Sequence, residues 1–419
     1  MKVGIVGGGI SGLYLASRLT QAGHTVDVYE ESKTVGGRIK TCNELIDKTN
    51  IQYEAGAGRF NKSHKRLIKL IKEFHLFDKI KPNNSQRTYQ VNSRKFNYEH
   101  LVYKTLFTDV LHQKADMNHD LKSITLQEHM DKVVGKRVTK QIINAFGYNS
   151  EFELQNAYTS LEIFKNDFND SIAYYYLNDG LSQIITHLVD KVLKVQHNKL
   201  YSNTKVMSYD SISNTIISKN NDTQIESQKH YDKVVFCVTK QSLLQFTSLM
   251  EDDEQLLAYL NNSIEMSPLH RIFAKFPVEL NGKVWFHDIQ RTTTNLPIRY
   301  IIPMNVQSGL IQISYTDKQF ADYWNSFSND EELVKELLKN LQILYPKKTI
   351  SNPIWLKMHY WKEGATYWKP NFSQYKNNKN KNYYIAGEMT SQFHSGWIEG
   401  ALESADNVLR YFNNIVHKK

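Results

Sequence analysis

A chain of 419 residues with 41% hydrophobic and 23% charged side chains has the balance of a soluble globular protein with room for two sizeable cores, which excludes a disordered class. The formal net charge is +9, but the lysines are scattered among asparagines, so no nucleic-acid partner is expected, and a run such as Lys376 to Lys381 reads as a solvated loop. Two cysteines, Cys42 and Cys237, exclude a disulfide framework; with no signal peptide and no membrane-length apolar stretch in view, a cytoplasmic, membrane-free protein is expected.

The first element is a strand running from Lys2 into Gly7-Gly8-Gly9-Ile10-Ser11-Gly12. That glycine spacing opens a βαβ unit: Gly7 permits the tight turn, Gly9 lets backbone N–H groups approach a pyrophosphate, and Gly12 permits close helix–strand packing. Ile10 and Ser11 start a helix whose N-terminus faces the phosphates. Leu13, Ala16 and Leu19 keep helical spacing, Gly23 stops the helix, and Thr25 to Tyr29 reads as the second strand, leaving Glu30 to accept from ribose hydroxyls. Gly36-Gly37-Arg38 adds a second close backbone approach and a guanidinium. A dinucleotide therefore belongs at this end of the chain.

Arg66 to Phe74 has amphipathic helical spacing, and from about Asn84 the βαβ pattern is lost, which places an inserted and mostly helical segment there. Within it Thr125-Leu126-Gln127-Glu128 is a capping box ahead of one long periodic stretch ending near Gly147. A helix follows Asn178-Asp179-Gly180, a hairpin-like region surrounds Val206, and Lys233 to Val238 is uninterrupted apolar, as in a strand buried on both faces. From Arg271 the pattern turns to alternating strands at 272–276, 298–302 and 310–315, which suit an antiparallel sheet. Asp330 to Leu344 is a helix with Asn329 as N-cap and Pro346 beyond its end; Tyr383 to Glu388 is a strand, and Trp397 to Phe412 a closing helix.

The glycine pair with Arg38 resembles the flavin-containing amine oxidase family, in which these residues flank the FAD diphosphate. Further segments are similar to its L-amino acid oxidase branch. Glu54-Ala55-Gly56-Ala57-Gly58-Arg59-Phe60 resembles the branch's glycine–arginine motif, with Gly58 where the family carries methionine; the resemblance makes Gly56, Ala57, Gly58 and Arg59 part of the flavin site and Arg59 the clamp for a substrate carboxylate. A guanidinium suits that role because its planar fork meets a carboxylate bidentately. Tyr315, ending its strand, looks like the tyrosine that shares the carboxylate, and the Thr293 to Tyr300 stretch also resembles this branch.

Ala386-Gly387-Glu388-Met389-Thr390 and Ser395-Gly396-Trp397-Ile398-Glu399-Gly400 are similar to the family's C-terminal flavin motif. By that resemblance Gly387, Glu388, Trp397 and Ile398 contact the cofactor, Trp397 walls the substrate slot and the Gly396 carbonyl accepts from the substrate amine. Arg271 stands where the family carries a lysine beside the flavin, which bears on oxygen reactivity, since a guanidinium stays charged and reaches farther. No cysteine lies in Trp361 to Trp368, where monoamine oxidases attach flavin covalently, so the FAD is expected to be non-covalent, with Trp361 and Trp368 beside it or in the core. His394 is expected to make a structural bond.

The resemblance implies an α/β chain: a Rossmann-like FAD-binding domain built from residues 1–83, 179–269 and 376–419, interleaved with an α+β substrate-binding domain from 84–178 and 270–375. The expected reaction is oxidation of the C–N bond of an L-amino acid with oxygen as acceptor, with a homodimer left open. An amine or polyamine oxidase, and a flavin-bound protein with little turnover, stay open as alternatives. No metal site is expected, since no His/Cys ligand spacing is present.

Overall fold

The computed structural model describes residues 1–83, 87–110, 120–168 and 173–416. The opening βαβ unit is present at the expected bounds: strand Lys2–Val6, helix Ile10–Gln21, strand Thr25–Tyr29. Lys2–Val6 is the centre of a five-stranded sheet, flanked by Thr25–Tyr29 and Lys199–Tyr201 on one side and by Lys233–Phe236 and Tyr383–Ile385 on the other. Every pairing in that sheet is parallel, which accounts for the apolar run at Lys233: both of its faces are covered, and Val234, Val235 and Phe236 are fully buried. Helices Ile10–Gln21, Ser182–Leu193 and Ile398–Val416 pack on this sheet through Leu13, Leu188 and Leu402. The region around Val206 is a three-stranded antiparallel sheet, Thr204–Asp210, Thr215–Asn220 and Glu226–His230.

A second sheet has seven strands, in the order Trp355–Trp368, Ile264–Lys275, Leu310–Asp317, Tyr300–Asn305, Arg291–Thr294, Arg87–Val91, Arg94–Asn97. It is antiparallel except where Arg291–Thr294 runs parallel to Arg87–Val91. Several features depart from the sequence expectations, among them the strand expected over Tyr383 to Glu388, which ends at Ile385, and that expected at 298–302, which runs Tyr300–Asn305. The inserted segment is mostly helical as expected, but it opens with two strands that join this sheet; the expected boundary at residue 84 lies outside the described residues. The single long helix ending at Gly147 is two helices, Leu126–Val133 and Lys136–Phe146, because Gly135 at φ +82° breaks the path. The strand carrying Tyr315 continues to Asp317. The fourteen-residue strand Trp355–Trp368 has a register shift opposite Ser267 to Leu269 and no clean alternation, which hid it.

The capping box at Thr125 and the Asn329 cap are formed as expected. Cys42 and Cys237 are both free. Among the described residues no helix is long and apolar enough to cross a membrane.

Candidate functional site

A cleft of about 680 Å³ runs along the carboxyl ends of the parallel strands and reaches the seven-stranded sheet. Ligands bind at this end of parallel sheets because the helix N-termini and loops converge there. At one end the cleft is lined by Gly7, Gly9, Ile10, Ser11, Glu30, Gly37 and Val206, and at the other by Arg271, Tyr315, Gly396 and Trp397. Arg38, Gly56, Ala57, Gly387, Glu388 and Ile398 line the stretch between.

The glycine turn is sterically determined. At Gly7 (φ +108°) an added Cβ would lie 2.4 Å from the Cys237 carbonyl, and at Gly12 it would lie 2.0 Å from the Gly7 carbonyl, so Gly12 is buried under the turn and not in the cleft. Gly9 is the converse: its Cβ direction is free for 4 Å, so a side chain there would fill the cleft beside the first turn of helix Ile10–Gln21. That cradle, a helix N-terminus with free backbone approach, fits a pyrophosphate. Glu30 is held at the end of its strand by the Gly8 N–H on one carboxylate oxygen and the Ser32 N–H on the other, each at 2.9 Å.

The two ends of the chain meet in the middle of the cleft. Arg38 Nη1 donates to Glu388 Oε1 at 2.7 Å and to the Gly364 carbonyl at 3.1 Å. Thr366 Oγ1 donates to the same Glu388 oxygen at 2.7 Å, and the Gly396 N–H donates to Glu388 Oε2 at 2.7 Å. Glu388 is 4% exposed, and three donors fill most of its acceptor positions, so it fixes the loop that presents Gly396 and Trp397.

At the far end Arg271 is not an exposed strand arginine. Its guanidinium lies 4.3 Å over the Tyr315 ring, and its Nη1 donates at 2.7 Å to the Glu54 carbonyl. Tyr315 meets the Tyr148 ring edge-on at 5.0 Å, and Trp397 stacks with Tyr174 at 6.4 Å. Trp361 lines the cleft and donates to the Ala55 carbonyl, whereas Trp368 is a core residue against Tyr259. His394 bonds Glu403 at 3.0 Å, as a structural histidine does. Cys237 sits at the glycine-turn end of the cleft, where burial pushes its thiol up to about 12 and leaves it un-ionised.

Besides Gly12, two expected residues do not line the cleft. Gly58 packs on Glu54, and Arg59 points past Trp397, with its guanidinium 4.6 Å over Tyr174 and 5.9 Å from the Trp397 ring. Arg59 therefore lies behind the cleft wall, among tyrosines of the core cluster against which Trp397 and Tyr315 pack. Tyr148, Arg87 and Arg291 lie within electrostatic reach of it, and the sequence motifs single out none of them.

Comparison with known proteins decides the family. A model of flavin containing amine oxidoreductases matches residues 10–408. The chain belongs to that family. As a flavin-containing amine oxidoreductase it is an oxidoreductase of small-molecule substrates. It is 24% identical to a putative L-amino-acid oxidase of Bacillus subtilis, over 98% of this chain and 94% of the relative. It is also 23% identical to an L-amino acid oxidase of Lachesis muta, over 98% of this chain and 86% of that protein. A shorter match, 35% over 107 residues and a quarter of this chain, is to an L-amino-acid oxidase of Mus musculus.

Proposed function

We propose that the protein is a FAD-dependent oxidase of α-amino acids, converting them to a 2-oxo acid, ammonia and hydrogen peroxide. The observation that carries this reading is the continuity of one cleft from the Gly9 cradle, through Arg38 and Glu388, to the wall formed by Trp397, Gly396 and Tyr315. On this reading the parallel sheet, drawn from 1–83, 179–269 and 376–419, is a Rossmann-like FAD-binding domain, and 84–178 with 270–375 is the substrate-binding domain. Gly7, Gly9, Ile10 and Ser11 hold the diphosphate, with Gly12 packed beneath them; Glu30 serves a ribose, Val206 the adenine end, and Gly37, Arg38, Gly56, Ala57, Gly387, Glu388 and Ile398 the flavin half. The absence of cysteine from Trp361 to Trp368, and the protonated Cys237 at the opposite end, support non-covalent binding.

When bound, the flavin supplies a hydride acceptor for the substrate Cα hydrogen and a route for electrons to oxygen. The chain supplies orientation. Trp397 and Tyr315 bound the slot, the Gly396 carbonyl accepts from the substrate amine, and Arg59, which has no carboxylate partner among the described residues, takes the substrate carboxylate with the Tyr315 hydroxyl. Arg271, tied to the Glu54 carbonyl and stacked on Tyr315, keeps that ring in place and puts a permanent positive charge at the slot.

The test is the visible spectrum of the purified protein under anaerobic conditions, before and after an amino acid mixture is added. Bleaching of a yellow chromophore is expected, and a yellow protein that no amino acid bleaches refutes the reading. Bleaching by polyamines alone would assign an amine oxidase; failure of every candidate would assign a flavin-bound protein without turnover. Arg59→Ala should raise the amino acid KM by the equivalent of about 2–5 kcal/mol, the usual loss when one partner of a buried charge pair is removed. An unchanged KM would refute the clamp.

A further inference from the structure

Behind Trp397 and Tyr315 the seven-stranded sheet places two more arginines beside Arg59. Arg87 and Arg291 each open a strand, and because those strands pair in parallel with Arg87 opposite Arg291, the two side chains emerge on the same face. Like charges directly opposite each other on a sheet destabilise it. Among the described residues, the groups around them are tyrosines and not carboxylates. Arg87 Nη1 lies 3.3 Å from the hydroxyls of Tyr98 and Tyr103, which are neutral acceptors. Arg291 is 6% exposed, lies 5.2 Å over the Tyr300 ring, and its Nε has no hydrogen-bond partner.

Neither forms a salt bridge with any described carboxylate, and the Arg291 side chain donates no hydrogen bond among the described residues. Arg299 differs in its terminal nitrogens: although its Nε is unpartnered like that of Arg291, they donate to Asn144, the Thr294 and Ile143 carbonyls, and Asn149, all at 3.1 Å. The Tyr148 hydroxyl is also buried and unpartnered, and its ring touches Tyr315 at the cleft. Arg87 and Arg59 both disfavour the charge on Arg291, after burial itself, so the three guanidiniums share one field. Three guanidiniums, at least partly withdrawn from water, and an unpartnered phenol are gathered with no described carboxylate paired to them.

One carboxylate on Arg59 leaves two guanidiniums uncompensated. We propose that the substrate is a dicarboxylic amino acid, its α-carboxylate on Arg59 and its distal carboxylate on Arg87 and Arg291, with the Tyr148 hydroxyl donating. The assignment rests on the amino acid oxidase reading and narrows its substrate class.

Calorimetric titration of the FAD-loaded protein with glutarate, succinate and butyrate separates the two claims. One of the diacids should bind about 100-fold more tightly than butyrate, since a second charge-assisted bidentate contact is gained. Arg291→Met and Arg87→Met should each bring the diacid to within about tenfold of butyrate, and Arg291→Met should melt at a higher temperature than the parent without ligand, because it removes an unpaired buried charge. A structural arginine would give a lower melting temperature on removal. Equal binding of diacids and butyrate by the parent, or a preference retained in both variants, overturns the proposal. Diacid preference without bleaching by L-aspartate or L-glutamate keeps the pocket and sinks the oxidase reading. Bleaching by leucine but not by either acidic amino acid does the reverse.

Discussion

Glu151 is enclosed between Asp317 and Tyr367, and burial, followed by the Asp317 charge, pushes its carboxyl up to about 8. Asp317 is raised by burial as well, but it accepts from the Asn149 and Ser150 N–H groups and the Ser150 hydroxyl, while Glu151 Oε2 has no partner. The charge therefore stays on Asp317 and the proton on Glu151. The sign follows from linkage: the unfolded chain releases this proton near the ordinary carboxylate range and the folded chain holds it higher, so the unfolded state binds fewer protons between those values and stability falls as pH rises toward 8. Glu151→Gln should remove that slope and be the more stable form at pH 8 by something on the order of 1–3 kcal/mol, with little difference at pH 4. Melting curves of both proteins across that range check it; parallel curves would place the proton elsewhere.

Residue by residue, legibility followed locality. Gly7 and Gly12 were readable as a tight strand-to-helix turn because its steric demands are written in adjacent positions. Arg59 sits near Trp397, but its aim past that ring, over Tyr174, depends on a residue that arrives from another segment. Arg87 and Arg291 carry no local signal, since each opens an ordinary strand and acquires meaning only when those strands pair.

At the scale of elements, two helix starts show the same contrast. Helix Leu126–Val133 carries its own cap in Thr125 and Glu128, so its start could be placed from the sequence. Helix Lys65–Glu73 follows His64, which makes no side-chain cap. Its first N–H groups are satisfied instead by Glu399 from helix Ile398–Val416: the Arg66 N–H donates at 3.1 Å and the Leu67 N–H at 3.0 Å, while the Arg66 guanidinium meets the same carboxylate at 3.2 Å. A carboxylate at a helix N-terminus also complements the dipole. Because Glu399 is 1% exposed, Glu399→Ala leaves those N–H groups buried and unpaired, and should cost about 1–3 kcal/mol in denaturant unfolding. Glu399→Gln, which keeps an acceptor, should recover part of that loss; equal losses would mean that packing and not capping holds the two helices together.

Over the whole molecule, the five-stranded sheet takes strands from residues 2–29, 199–236 and 383–385, with the seven-stranded sheet threaded between them. Such non-local assembly leaves the cleft as the seam along which distant segments must agree, and the Arg38–Glu388 pair is the ion pair that closes it. A ligand bound across that seam stabilises the folded chain by mass action, about 2.7 kcal/mol at a free concentration 100 times its Kd. Stripping the protein of flavin should therefore lower its melting temperature by several degrees, and titrating FAD back should restore both the colour and the temperature. FMN, which lacks the adenylate half that would reach Glu30 and Val206, should restore less. Arg38→Met removes a charge-assisted bond between the two ends of the chain, so it should weaken FAD binding by about tenfold or more and lower the melting temperature even without cofactor. If the variant instead lost stability only when FAD was present, Arg38 would act on the cofactor alone, and the joining of the first and last segments would have to rest on the sheet itself.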